Sequence, residues 1–211
     1  MSDELIAFKR LTKTQIREID KLQSEYFTEF MHLFDPPLPE GVIERLEIIV
    51  ESANISEKDV VLDVGTGTGI LIPLIKEHCP SLIYANDLSR SMLESIKRHH
   101  PDVKTIDGDI RDLTLPNRSI DVVFINACYP NIADKHGCFL NIKRMARDGC
   151  RVIISHPMGI SFIRFLQEKM PFPVDNFPEN KTMAKALFAP YGFHVSDFVS
   201  EDKLYILVLK G

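Results

Sequence analysis

From Asp59 onward the chain alternates short apolar runs, at 60–64, 82–85, 103–106, 120–125 and 151–155, with stretches of helical periodicity. Parallel neighbours in a sheet need long crossover connections, and helices of this length supply them, so the alternation predicts a mostly parallel sheet with helices on both faces. Two further runs, 194–199 and 204–209, are separated by only Ser200-Glu201-Asp202-Lys203. Four residues cannot hold a crossover helix, and these runs are expected to pair as a terminal antiparallel hairpin. The resulting fold class is α/β, a doubly wound sheet of seven strands whose ligand belongs at the carboxyl ends of the strands.

The first 55 residues read differently. Thr12 and Gln15 form a capping-box pattern, followed by apolar residues at Ile16, Ile19, Leu22, Tyr26, Phe27, Phe30, Leu33 and Phe34. The proline-rich run 35–39 stops that helix, and a second one carries Val42, Ile43, Leu46, Ile49 and Val50 before Asn54-Ile55-Ser56 ends it. Residues 1–55 are expected to form a helical cap and 56–211 a binding domain, together one compact unit.

At 211 residues, 45% hydrophobic and 26% charged, the composition excludes disordered, collagenous and coiled-coil chains. No apolar run approaches the roughly 20 residues of a membrane span. The acidic start, Asp3-Glu4, lacks a signal-peptide pattern, which makes a cytoplasmic location the expectation. A net charge of -5 disfavours nucleic acid as a partner. Cys79, Cys128, Cys138 and Cys150 include no C-x-x-C pair, so reduced thiols are expected, without a disulfide framework or a metal site.

The most informative segment is Val60-Val61-Leu62-Asp63-Val64, which runs into Gly65-Thr66-Gly67-Thr68-Gly69 ahead of a helix. A glycine turn there lets a ligand approach the backbone closely. The dinucleotide fingerprint requires glycine at position 70, where this chain has Ile70. A carboxylate at Asp63 opposes a pyrophosphate and suits an ammonium or sulfonium. Asp87, 22 residues after Gly65, ends the second run where an acid can accept ribose hydroxyls, and Asp109 ends the third within reach of an adenine amino group.

These segments, V-L-D-V-G-T-G-T-G from Val61, N-D-L-S-R-S-M-L from Asn86, G-D-I-R-D-L from Gly108 and S-I-D-V-V-F-I-N from Ser119, resemble the class I S-adenosylmethionine-dependent methyltransferases, in the group that methylates quinones and other small molecules. The resemblance implies a Rossmann-like fold and S-adenosyl-L-methionine as cofactor. It implies that Asp63 and the loop of Gly65, Thr66, Gly67 and Gly69 surround the methionine part, that Asp87 with Leu88 binds ribose, that Asp109 with the backbone of Ile110 holds adenine, and that Asn126 completes the set. Asp148-Gly149-Cys150 departs from the family's double glycine before the fifth strand.

The acceptor side is less defined. Asn126-Ala127-Cys128-Tyr129-Pro130 partly matches the N-P-P-Y motif of base methylators but lacks its first proline. Tyr129 and Asn131 either line an acceptor pocket or belong to a simple loop with a buried aromatic. His156, after the fifth strand, is either a general base for an acceptor hydroxyl or the stabiliser of the His156-Pro157 turn. His136 is a weaker base candidate, and His99-His100 read as a solvated helix end. The aromatic, proline-rich segment 171–178 is either a lid or a packed surface loop. Phe27, Phe30 and Phe34 read as packing residues. The sequence thus points to methyl transfer from S-adenosylmethionine to a small organic acceptor, with a protein or RNA methyltransferase and a non-catalytic cofactor-binding subunit as the alternatives.

Overall fold

The computed structural model describes residues 7–30 and 37–211. Leu33, Phe34 and the start of the expected helix stop at Asp35-Pro36 lie outside the described residues, as does the acidic start. Helix α1 spans Lys13–Glu29 and α2 Val42–Glu51. The alternating part follows as β1 (Val60–Val64), α3 (Ile72–Glu77), β2 (Leu82–Asp87), α4 (Arg90–His99), β3 (Lys104–Asp107), β4 (Ile120–Asn126), α5 (Lys135–Met145), β5 (Ala146–His156), α6 (Gly159–Lys169), α7 (Lys181–Phe188), β6 (His194–Ser200) and β7 (Tyr205–Lys210). The described strands form one sheet in the order β3-β2-β1-β4-β5-β7-β6, parallel from β3 to β5, with β7 antiparallel to both β5 and β6. The chain therefore folds as the doubly wound, Rossmann-like α/β sheet that the alternation predicts. Its order reverses between β1 and β4, which opens a crevice at their carboxyl ends.

Side-chain alternation divides the core into two layers. Leu62 and Val64 of β1, Val123 and Ile125 of β4, and Val152 and Ile154 of β5 face α5 and α7, where Phe139, Ile142 and Phe188 are fully buried. Val61, Val122, Phe124 and Ile153 point the other way, onto α2, α3 and α4.

The first 55 residues divide in their packing. Helix α2 is part of the second layer, because Leu46 and Ile49 are completely buried among Ile72, Ile75 and Ile153. Helix α1 has only Ile16 and Gln23 buried and keeps the capping box at Thr12 and Gln15. It meets the rest of the molecule at the carboxyl edge of the sheet, through polar groups and through Tyr26 and Phe27 packed on Phe172. Strand β5 starts at Ala146, five residues before the expected run, because pairing with β4 resumes across the irregularity between Ile120 and Val122, and Gly149 takes a positive φ of 78° there.

Candidate active site

The carboxyl end of β1 carries Asp63, which is 2% exposed. Its Oδ2 accepts a 2.7 Å hydrogen bond from the Thr66 hydroxyl. Among the described residues no cationic side chain pairs with it, and burial, reinforced by the Asp87 carboxylate, raises its pKa to about 7. The turn beyond it needs glycine for three different reasons. A Cβ on Gly65 would overlap the Cys128 side chain, and one on Gly69 would press on Ile72 and Ile96 of the flanking helices. Gly67 has φ +55° and nothing within 4 Å of where its Cβ would stand. Open space beside a left-handed backbone at the crevice is the cradle that a closely approaching ligand requires.

At the end of β2, Asp87 accepts backbone N–H groups on both oxygens, from Gly67 at 2.9 Å and from Ser89 at 2.9 Å. Each carboxylate oxygen has a second acceptor site to offer a ligand hydroxyl. Burial raises the Asp87 pKa even against those donors. The Gly108 N–H bonds the Asp87 carbonyl, and the Asn86 side chain donates to the carbonyls of Ile106 and Gly108, so the β1, β2 and β3 turns are laced together. Asp109 follows, capping the short 3-10 turn Ile110–Asp112 through the Arg111 N–H at 2.8 Å, and burial raises its pKa to about 6. The Ile110 side chain is buried and its carbonyl accepts from Asn141.

Asp63 is buried, and the half-buried Asp87 and Asp109 stand with it at the ends of neighbouring strands. Burying such charge without compensation is costly, and a ligand carrying an ammonium or sulfonium supplies what is missing. The carboxylate acceptors and the open glycine turn suit S-adenosylmethionine, which carries an ammonium, a sulfonium and ribose hydroxyls.

The other half of the crevice is built from aromatics. Asn126, at the end of β4, accepts a hydrogen bond from Ser155 on β5. Ala127 then adopts a positive φ of 53°, a strained conformation for a residue with a side chain. That twist sets Cys128 against Gly65, where the charges of Asp87, Asp63 and Asp109 add to burial in raising its thiol pKa. Tyr129 is 2% exposed, stacked on Phe177 at 5.5 Å, with the Lys135 ammonium 5.0 Å from its ring centre. His156 is 4% exposed and lies 6.3 Å from the same Phe177 ring. The structure therefore brings Tyr129 and His156 to the same phenylalanine of the 171–178 segment, Tyr129 stacked on it and His156 edge-on to it.

That segment is packed down. Phe172 contacts Tyr26 and Phe27 of α1, the Asp175 N–H bonds the Pro130 carbonyl, and the Asp175 carboxylate pairs with Lys135 at 2.5 Å. A groove of about 430 Å³ runs between it and α6, lined by Ile160, Ile163, Gln167 and Phe177 among others. The His156 Nδ1 accepts the Met158 N–H at 3.0 Å, which leaves the ring proton on Nε2. Burial lowers its pKa to about 4. His136 bonds the Tyr191 hydroxyl instead, and the Asn131 Oδ1 is buried without a donor.

Two residues absent from the sequence reading complete the site. Arg111 and Asp20 are only 16% and 14% exposed at their side chains and form an ion pair beside Asp109. Arg111 is visible inside G-D-I-R-D-L as a cation two residues after Asp109. Asp20, 91 residues away, gives no local signal.

Residues 62–154 match a family described as a methyltransferase domain. A demethylmenaquinone methyltransferase of Thermotoga maritima is 32% identical over 95 residues, covering 44% of this chain and 42% of the relative. A malonyl-[acyl-carrier protein] O-methyltransferase of Xylella fastidiosa is 35% identical over 100 residues, covering 46% and 34%. The chain spans less than half the length of these two curated relatives. A solved S-adenosylmethionine-dependent methyltransferase from Aquifex aeolicus superposes with a TM-score of 0.65 at 18% identity, covering 95% of this chain and 98% of that one, a likeness of fold.

Proposed function

We propose that the chain, whose residues 62–154 match a methyltransferase domain, is a class I S-adenosylmethionine-dependent enzyme that transfers a methyl group from S-adenosylmethionine to a small organic acceptor. The observation that supports this best is the buried Asp63 carboxyl, without a cation of its own, beside the open face of Gly67. When bound, the cofactor supplies a methyl group on a sulfonium, which leaves a neutral thioether after displacement. Asp63, fixed by Thr66, holds the ammonium of the amino acid, and the backbone from Gly65 to Gly69 seats its chain. Asp87 accepts the ribose hydroxyls next to Leu88, Asp109 and the backbone of Ile110 receive the adenine, and Asn126 borders the transfer side.

On the acceptor side Tyr129 and His156 act by shape. A histidine whose Nδ1 is occupied by a backbone N–H and whose proton sits on Nε2 offers a donor, not a base, to an acceptor. Holding the nucleophile in line with the methyl group then carries most of the acceleration. The name of the quinone-modifying relative agrees with a small organic acceptor.

The test is to incubate the protein with S-adenosylmethionine labelled at the methyl group and cell extract separated by size. Label entering the small-molecule fraction supports the reading. Label confined to RNA or protein would contradict it.

A further inference from the structure

Helix α1 lies across the crevice, held by a polar stripe beside the aromatic contacts of Tyr26 and Phe27. Asp20 pairs with Arg111, the Gln23 amide donates to the Asn131 carbonyl at 2.6 Å, Ser24 donates to the Leu88 carbonyl at 3.1 Å, and Thr28 shares a 2.9 Å hydrogen bond with Ser89. Spacings of three, four and eight residues place these groups on one helix face. Each one meets a loop that follows a proposed ligand residue: Asp87, Asp109 or Asn126.

The Asp20 contact differs from the other three in carrying charge. The Arg111 guanidinium touches Asp20 through Nη2, lies 3.1 Å from Asp109 Oδ2 through Nη1, and lies 3.4 Å from Asp112 through Nε. Its Nη1 is buried and lacks a well-aligned acceptor. The cation is therefore shared, and whatever moves α1 redistributes it. We propose that Asp20 and Arg111 are positioning residues for adenine recognition, coupling the seating of α1 over the crevice to the aim and charge of Asp109. This rests on the reading that Asp109 meets the adenine.

The groups acting on Asp109 are Arg111 and Asp112 from its own turn and Asp20 from α1, with the Cys128 and Cys138 thiols nearby, while Asp134 acts on Asp20. Arg111 favours the ionised form of Asp109, whereas Asp20 and Asp112 oppose it. The two ends of the pair thus push the acid in opposite directions.

The experiment is calorimetric binding of S-adenosylhomocysteine from pH 8 to pH 6 to wild type, Asp20→Asn and Arg111→Met, with melting of each unliganded protein as a fold check. Contributions common to all three, such as titration of Asp63, cancel in the ratio of variant to wild-type affinity. Both variants should bind about tenfold more weakly at pH 8, the loss of one charged contact. The Arg111→Met deficit should widen as pH falls, because Asp109 then gains its proton sooner. The Asp20→Asn deficit should narrow, because an undivided Arg111 keeps Asp109 ionised longer. Deficits that stay constant with pH would reduce the pair to a mechanical tie and overturn the proposal. If Arg111→Met does not fold, the sign of the Asp20→Asn trend decides alone. Wild type that fails to bind would remove the underlying reading instead, and the proposal with it.

Discussion

The two halves of the crevice solve opposite physical problems. At the ends of β1, β2 and β3 three carboxylates stand together, Asp63 buried without a cation of its own and Asp109 sharing Arg111, and these two have pKa values raised to about 7 and about 6. At the ends of β4 and β5 the surroundings are neutral and aromatic, with Tyr129, Phe177 and Tyr205 stacked at 5.5 and 4.3 Å and a histidine held uncharged. The first half leaves the Asp63 carboxyl without a cation, whereas the second is already packed. Chemistry directed at a charged cofactor is therefore stored as electrostatic strain, and acceptor choice is stored as shape.

The largest effect that can break this contrast is expected from Gly67→Val. A β-branched residue at φ +55° strains the turn and fills the only open cradle described in it. S-adenosylhomocysteine affinity should fall by about 100-fold or more. Binding that matches wild type would move the cofactor away from this loop. Asp87→Ala comes next, with a loss of about 1.5–3 kcal/mol in the same titration, since it removes an acceptor of hydroxyl hydrogen bonds. A variant as tight as wild type would take the ribose elsewhere.

Asp63→Asn separates binding from stability. The folded protein holds the Asp63 proton more tightly than an unfolded chain would, so its contribution to stability is complete below about pH 4 and is lost as pH rises through about 7. At pH 8 the substitution should raise the melting temperature of the unliganded protein by about 2–4 °C, the equivalent of about 1 kcal/mol. It should weaken cofactor binding at the same time. A lower melting temperature at pH 8 would mean that Asp63 is compensated within the fold.

His156 has the opposite sign and the smallest effect. Its lowered pKa means stability present above about pH 6.5 and lost as pH falls through about 4. Asparagine can retain an acceptor near the position of Nδ1. His156→Asn should therefore lie within about 1 kcal/mol of wild type at pH 8 and lose less stability on acidification. A turnover rate that drops and loses its pH dependence near neutrality would instead return His156 to the role of a base.

Legibility in the sequence follows the same division. The seven strands could be read from their apolar runs, and Asp63, Gly67 and Asp87 from their places at strand ends, because each is determined by a few adjacent residues. The early start of β5 could not be read, since pairing across a bulge decided it. Nor could the packing of Phe177 against Tyr129 and His156, three residues from separate segments that meet only in the folded core. Helix α2 looked like a companion of α1, and only the burial of Leu46 and Ile49 against Ile72 and Ile153 shows it to be a wall of the sheet. Asp20 reached the site through the docking of a whole helix, which no spacing records.

The central claim is that the acidic half of the crevice accepts a cationic nucleoside and refuses a dinucleotide. Calorimetry with S-adenosylhomocysteine and with NAD, at pH 8 and again at pH 6, tests it directly. The account predicts binding of S-adenosylhomocysteine that weakens at pH 6 as Asp63 gains its proton, and no heat with NAD. Tight NAD binding with no response to S-adenosylhomocysteine would contradict it.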